Sequence, residues 1–166
     1  MFFCFFLTGN CSTIQTRDLS KFPEPSRTLF LQNFTNETFQ PDINQELTDS
    51  VREEILRRNN FIIQDNRTSA ALGLNAKIIM YNKEGRLFDN FRNALHYELS
   101  VYCKVSMYQK QKSQGIREIL GEEIGATVHY SETSGMEEGE YRARQRLFRI
   151  LSMRINEAME RAFLEN

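Results

Sequence analysis

Carboxylate and imidazole side chains, the usual groups of acid–base catalysis, are present but poorly arranged for it. Glu122 and Glu123 are adjacent in a strand-like segment, where neighbouring side chains point to opposite faces, so they cannot act as a pair. His96 and His129 fall in alternating segments and are best interpreted as surface strand residues. The sequence has no nucleophile elbow, phosphate-binding loop, zinc-protease motif or dinucleotide fingerprint. We therefore predict no enzyme activity, no metal site and no cofactor.

The cysteines suggest lipidation rather than metal binding. Cys4, Cys11 and Cys103 are odd in number, and their spacing fits neither a zinc knuckle nor a CxxC motif. Cys11 follows a Phe-rich apolar run and small residues, which is how a lipoprotein signal peptide ends. The run is shorter than the usual ~7–15 residues and no basic segment precedes it, so residues 1–11 are interpreted as a truncated lipoprotein signal with Cys11 as the acylated residue. The alternatives are a buried amino-terminal strand or a chance run of Phe.

Basic side chains form two groups that could bind phosphate. One group precedes the longest strand-like segment and the other follows it: Lys83, Arg86 and Arg92, then Lys110, Lys112 and Arg117. A guanidinium can hold a phosphate with two parallel hydrogen bonds, which makes Arg92 and Arg86 the candidate ligand-binding residues. The alternative, which is the commoner role of any one such residue, is ordinary loop solubility. The net charge of −1 gives no overall basic field, so nucleic acid is not an expected partner.

Two segments have the periodicity of amphipathic helices. In the first, apolar residues recur every four positions, at Ile43, Leu47, Val51 and Ile55, and Leu56 is expected to widen this stripe. Asp42 and Gln45 have capping-box spacing at its start, and Asn59-Asn60 can form a left-handed cap at its end. The second helix is expected from about Glu138 to Phe163, with an apolar stripe at Leu147, Leu151, Ile155, Ala158, Met159 and Ala162.

The remaining apolar segments predict strands at residues 28–34, 61–63, 70–81, 95–108 and 119–130. In the third, Leu72, Leu74, Ala76, Ile78 and Met80 are expected to share one face, and a turn with Gly85 at its tip should follow at residues 82–86. Residues 95–108 alternate without a break, which predicts a half-buried strand roughly 45 Å long, with Cys103 as a buried free thiol.

A chain of 166 residues fits one domain with a single core. The order of elements predicts an α+β fold in which two amphipathic helices pack on one face of a four- to five-stranded mixed β-sheet, because each helix needs a sheet face to cover. Residues 12–27 are polar and contain Pro23 and Pro25, so they are expected to link the anchor to a domain at residues 28–166.

The segment from Thr28 to Arg58 resembles the start of the LPS-assembly lipoprotein family LptE. The similarity lies in an apolar strand, the loop Phe34-Thr35-Asn36-Glu37-Thr38, and a helix containing Leu47-Thr48. It extends to Leu72-Gly73, to the long strand with Tyr97, Leu99 and Val101, and to a last helix at Arg142–Phe163. The resemblance thus covers about residues 28–163, through the order and spacing of weak motifs.

This resemblance implies two helices on a mixed sheet and a role in lipopolysaccharide transport. Members of the family occupy the lumen of the outer-membrane barrel LptD, assist its assembly and bind lipopolysaccharide. The family's basic residue before the long strand corresponds to Phe91-Arg92-Asn93, whereas its basic residue near the last helix is replaced by Met136-Glu137-Glu138. The chain is accordingly expected in the outer membrane of a Gram-negative-type bacterium, held by a lipid on Cys11.

Two other interpretations remain at this stage. A periplasmic lipoprotein that scaffolds a different envelope complex, or binds a small ligand, could have the same sheet and helices. A cytosolic enzyme of unknown type is the third, and a complete signal peptide upstream of the chain would eliminate it. Co-purification with a large β-barrel would separate the first interpretation from the second.

Overall fold

The computed structural model describes residues 19–111, 115–131 and 139–166. This part of the chain forms an α+β fold with six strands and two α-helices. Their bounds are β1 Thr28–Leu31, β2 Thr35–Asn36, α1 Ile43–Arg58, β3 Ile62–Ile63, β4 Leu72–Phe88, β5 Ala94–Gln111, β6 Gly115–Ser131 and α2 Glu140–Glu165. Two short 3₁₀ turns, Leu19–Lys21 and Glu24–Arg27, precede β1. Leu19 is 1% exposed, so packing against the core begins inside the segment expected to be a linker.

The sheet is mixed, as predicted, with the strand order β3-β1-β4-β5-β6. β1 pairs in parallel with both β3 and β4, while β4, β5 and β6 are antiparallel. The described sheet has six strands, one more than the upper bound of the four to five predicted. The sixth strand, β2, lies in the expected polar loop, where Thr35 and Asn36 pair in parallel with Lys77 and Ile78 of β4. Two residues are too few to show the alternation that identifies a strand.

The turn predicted at residues 82–86 is wrong, because β4 continues through it. Asn82 pairs with Ser100 and Glu84 with Glu98, and the chain reverses only between Phe88 and Ala94. Gly85 suggested a turn, but its missing side chain serves close packing. A Cβ atom at this position would lie 2.9 Å from the Phe88 ring and 3.0 Å from Ala94.

The prediction that Met80 faces the core is also wrong. A β-bulge between Ile78 and Met80 inserts one extra residue and reverses the alternation beyond it. Ile78 is fully buried, whereas Met80 is 46% exposed. Tyr81 and Lys83 take the helix-side positions instead, opposite Val101 and Leu99 of β5.

The two helices lie side by side and run in the same direction. Glu46 pairs with Arg144 near their starts, and Arg58 pairs with Glu160 near their ends. The predicted apolar stripe of α2 is confirmed, and Ile43, Leu47, Val51 and Ile55 of α1 are buried in the same core with the inner face of the sheet. The prediction that Leu56 widens the stripe of α1 is wrong: Leu56 is 61% exposed, because it lies about 100° around the helix from Ile55. Asn59 ends α1 in the left-handed conformation, as predicted.

The predicted capping box at the start of α1 is not formed. Asp42 itself adopts the left-handed conformation (φ 61°) and makes no side-chain cap, while the amide of Gln45 donates to Asp49. A capping side chain must leave an extended backbone, which Asp42 does not have.

Candidate functional site

The hairpin that joins β4 to β5 extends beyond the buried core. We call residues 84–98 the arm; none of them is buried, whereas Leu99 and Val101, which follow in β5, are fully buried. The helices do not cover the arm because α2 begins at Glu140, beside Lys83 at the arm's base. Within the described ranges, β6 pairs with residues 96–98 at the base of the arm, and beyond them the arm is a two-stranded extension with exposed side chains at its tip.

The turn at the tip of the arm is fixed by Asp89. Its carboxylate accepts hydrogen bonds from the backbone N–H groups of Phe91 and Asn93, both at 2.8 Å, and from the Asn93 amide at 2.9 Å. These bonds, led by that of the Asn93 side chain, hold the pKa of Asp89 below its usual value. Arg92 has a φ of 66°, in the left-handed region that non-glycine residues rarely adopt. The turn is thus defined by its own hydrogen bonds.

Large apolar side chains are exposed at this tip. Phe91 is 86% exposed, Phe88 54% and Leu87 52%. A single exposed apolar residue needs no explanation, but several within five positions at the end of an uncovered hairpin suggest a contact surface.

The two arginines predicted to bind a ligand both lie in the arm, in different environments. Arg92 is exposed at the turn, and its guanidinium makes no ion pair within the described part of the chain. Arg86 lies in β4 and binds Glu98 through two hydrogen bonds, of 2.7 and 3.1 Å, with Glu84 at 3.2 Å. The hydrogen bond from Arg86 lowers the pKa of Glu98. Arg92 is therefore available to a phosphate, whereas Arg86 would first have to leave its carboxylates.

Sequence reasoning missed the cluster that attaches the arm to α2. Glu140 accepts hydrogen bonds from the Tyr81 hydroxyl at 2.7 Å and from Lys83 Nζ at 2.9 Å. Lys83 Nζ also lies 4.4 Å from the centre of the Tyr97 ring, which stacks on Tyr130 with 5.2 Å between ring centres. The bulge at Ile79 turns Lys83 to the helix side of the sheet, and no pattern in the sequence predicts that bulge.

Ionisation in this cluster favours the charged pair. Burial alone would raise the pKa of Glu140, but the hydrogen bonds from Lys83 and Tyr81 outweigh it and hold that pKa below its usual value. Burial alone would lower the pKa of Lys83, yet the hydrogen bond and charge of Glu140 raise it. Burial and the bond to Glu140 raise the pKa of Tyr81 to about 12. The cluster is thus a fixed ion pair beside the neutral Tyr81 phenol, suited to holding the arm rather than to proton transfer.

The second basic group lies at the opposite end of the sheet and is engaged locally. Lys110 Nζ donates to the Thr68 carbonyl at 2.6 Å, and Arg117 donates to the Asn166 side chain at 2.9 Å. Lys112 lies outside the described residues, as do Cys11 and the segment Met136-Glu137-Glu138. Lys110 and Arg117 are separated from Arg86 and Arg92 by the length of β5, so the four side chains cannot bind one phosphate group.

The prediction of a buried thiol at Cys103 is confirmed, since this residue is fully buried and its Sγ contacts the Ile124 carbonyl at 3.4 Å. Burial raises the pKa of this thiol to about 12.

Among the described residues, no three His, Cys, Asp or Glu side chains are grouped to hold a metal ion. None of the helices in the described ranges is both long and apolar enough to cross a membrane.

Comparison with known proteins relates the chain to one family. The sequence model of the lipopolysaccharide-assembly family LptE matches residues 26–159. Among solved structures, a hypothetical protein of Chlamydia trachomatis is similar with a TM-score of 0.64 and 10% identity, over 84% of this chain and 98% of that one. A minor lipoprotein of Acinetobacter baumannii is similar with a TM-score of 0.52 and 11% identity, over 82% and 94%. At such identities these structures establish the fold alone. No curated protein matches the chain in sequence.

Proposed function

Since this chain belongs to the lipopolysaccharide-assembly family LptE, we propose that it is an outer-membrane lipoprotein that plugs an LptD-type β-barrel, assists its assembly and binds lipopolysaccharide. The family match over residues 26–159 is the observation that carries the proposal. The role is one of binding and positioning, without catalysis.

The dimensions and polarity of the sheet suit a plug. β4 has 17 residues and β5 has 18, which at ~3.3 Å per residue gives strands of roughly 55 Å. A bilayer with its headgroups is about 40–45 Å thick, so such strands can extend through a barrel from one side to the other. The face turned away from the helices carries Ser100, Thr127 and Lys104, and the first two share a hydrogen bond of 2.9 Å. A polar face of this kind matches the polar interior of large outer-membrane barrels.

The first described residues, which follow the proposed lipid anchor in sequence, lie at the end of the domain opposite the arm. Phe22, just after the first described residues, packs edge-on against Phe163 near the end of α2, with 5.1 Å between ring centres. The start of α2 lies instead at the base of the arm. The segment between Cys11 and Leu19 spans at most about 28 Å, so an acyl group on Cys11 would hold this end of the domain near the membrane surface.

Lipopolysaccharide binding is assigned to the arm. Arg92 presents an exposed guanidinium, and lipid A carries phosphates that such a group binds with two parallel hydrogen bonds. Arg86 is the second donor in this proposal, and its use requires a phosphate to replace Glu98 as its partner.

Affinity purification of the full-length protein from its native envelope tests the barrel partnership. The proposal expects a large outer-membrane β-barrel of LptD type in stoichiometric amount. Recovery of another envelope complex in its place would favour a scaffolding lipoprotein and overturn the proposed plug function.

Metabolic labelling with a palmitate analogue tests the anchor. Label should enter the wild-type protein carrying its upstream sequence and be lost in Cys11→Ala. Label that persists in the variant would contradict acylation at this residue.

A further inference from the structure

We infer that the apolar tip of the arm, formed by Leu87, Phe88 and Phe91, inserts into the acyl-chain layer of a lipid surface that carries anionic headgroups. This goes beyond the proposed function, which requires only that the arm contact phosphates. It also needs neither the barrel nor lipopolysaccharide, so the two proposals can fail separately.

The first argument is the exposure of the tip. Phe91 is 86% exposed and Phe88 and Leu87 are more than half exposed, although most large apolar side chains of the described residues are buried. Among the described residues, no helix covers the tip of the arm, because α2 starts at the arm's base. Transfer of one Phe side chain out of water is worth about 1.5–3 kcal/mol, and nothing within the described part of the domain provides that burial.

The second argument is that the turn holds Phe91 outward. The Asp89 carboxylate accepts three hydrogen bonds from Phe91 and Asn93, and the Asp89 N–H donates to the Asn93 carbonyl at 2.9 Å. A turn closed in this way cannot easily fold back to hide its aromatic side chain. The tip is therefore already ordered in the unbound protein, so insertion loses little further conformational entropy.

The third argument concerns charge. Of the charged groups between Leu87 and Asn93, the Asp89 carboxylate is directed into the turn by its hydrogen bonds, and Arg92 is exposed. At the base of the arm, Glu98 and Glu84 are paired with Arg86. Among the described side chains of the tip, Arg92 is thus the one charged group that is not engaged in the tip's own hydrogen bonds. An arginine beside inserted aromatic side chains can remain at headgroup level, where anionic lipids attract it.

The absence of Trp from the sequence allows a local reporter. Phe91→Trp in the full-length chain introduces a single Trp at the tip, and Phe39→Trp is the matched control, because Phe39 is fully exposed in the loop before α1. We expect emission from the Phe91→Trp protein to move to shorter wavelength on addition of vesicles of phosphatidylglycerol and phosphatidylcholine, and to be quenched by lipids brominated in their acyl chains. The Phe39→Trp emission should stay unchanged. Equal responses of the two reporters, or none from either, would overturn the inference.

Substitutions of the native side chains complete the test. Phe88→Ser with Phe91→Ser should lower the partition coefficient into the same vesicles by tenfold or more, whereas Phe39→Ser should leave it unchanged. Arg92→Gln should weaken binding to the anionic vesicles and leave binding to pure phosphatidylcholine unaltered. All these sites are exposed, so circular dichroism should show unchanged folding. Vesicle binding that survives loss of both Phe side chains would contradict insertion by the tip, even if lipopolysaccharide binding persisted.

Discussion

Lys83 Nζ lies 2.9 Å from Glu140 Oε2, and this ion pair joins the base of the arm to the first residue of α2. The two residues are 57 positions apart in the chain, and the bulge at Ile79 is what turns Lys83 toward the helix. The Lys83–Glu140 ion pair, which lies between the buried core and the exposed arm, thus helps to fix the position of the arm relative to the domain.

Glu140→Gln should destabilise the protein in a pH-dependent way. The pKa of Glu140 is lower in the folded protein than in the unfolded chain, so its contribution is present above about pH 4.5 and is lost as the pH falls through the folded pKa. Both partners are about 30% exposed, so the pair is worth no more than about 1 kcal/mol at neutral pH. Urea titrations of wild type and variant at pH 7 and pH 3.5 should show the difference shrinking at the lower pH. A difference that grows on acidification would refute this role.

Leu99→Ala should cost roughly 2–5 kcal/mol of unfolding free energy, as truncation of a fully buried Leu does. Ser100→Ala is the neighbouring control. Its hydroxyl lies on the opposite face and loses only the hydrogen bond to Thr127, so the expected cost is about 1 kcal/mol or less. Denaturant titration gives both values, and equal losses would mean that the register of β5 is misassigned.

Cys103 should resist alkylation in the folded protein. Its thiol is fully buried and burial raises its pKa to about 12, so almost no reactive thiolate exists at pH 8. Iodoacetamide treatment followed by mass spectrometry of the peptide that contains Cys103 should show label only after denaturation. Rapid labelling of the native protein would show that β5 and β6 separate readily.

Arg92→Glu should weaken binding of the purified protein to lipopolysaccharide, and the loss should be larger at low ionic strength. Arg67→Glu, an exposed reversal at the other end of the sheet, is the matched control with the same change in net charge. Melting temperatures of both variants should stay near that of wild type, because exposed charges contribute little to folding. If both variants bind as wild type at every salt concentration, Arg92 does not contact the lipid.

The elements with long periodic patterns could be predicted from sequence, whereas local irregularities could not. The stripe of α2 and the alternation around Leu99 each extend over several repeats, so both the element and its buried face follow from the sequence. The bulge at Ile79 inserts one extra residue into a segment whose sequence alternates regularly. The alternation therefore predicts the wrong face for Met80. A glycine such as Gly85 is typical of turns, but here it leaves room for the neighbouring Phe88 ring. The sequence alone does not distinguish these two roles, because the position of the ring is known only from the structure.

The candidate site was only partly predictable for the same reason. An exposed arginine such as Arg92 can be recognised beside a strand end, but the pairing of Arg86 depends on its neighbours across two strands. Glu98 lies twelve positions away, and it meets Arg86 only because β4 runs on to Phe88 instead of turning.

Crosslinking in living cells tests the plug most directly. A photo-crosslinking amino acid in place of Lys104 would sit exposed in the middle of β5, on the face turned away from the helices. On irradiation, the proposed function predicts one major adduct with a large outer-membrane β-barrel of LptD type, with attachment sites on lumen-facing residues of its strands. Adducts with other envelope proteins alone, at an expression level that supports growth, would contradict the proposal that this domain fills the barrel.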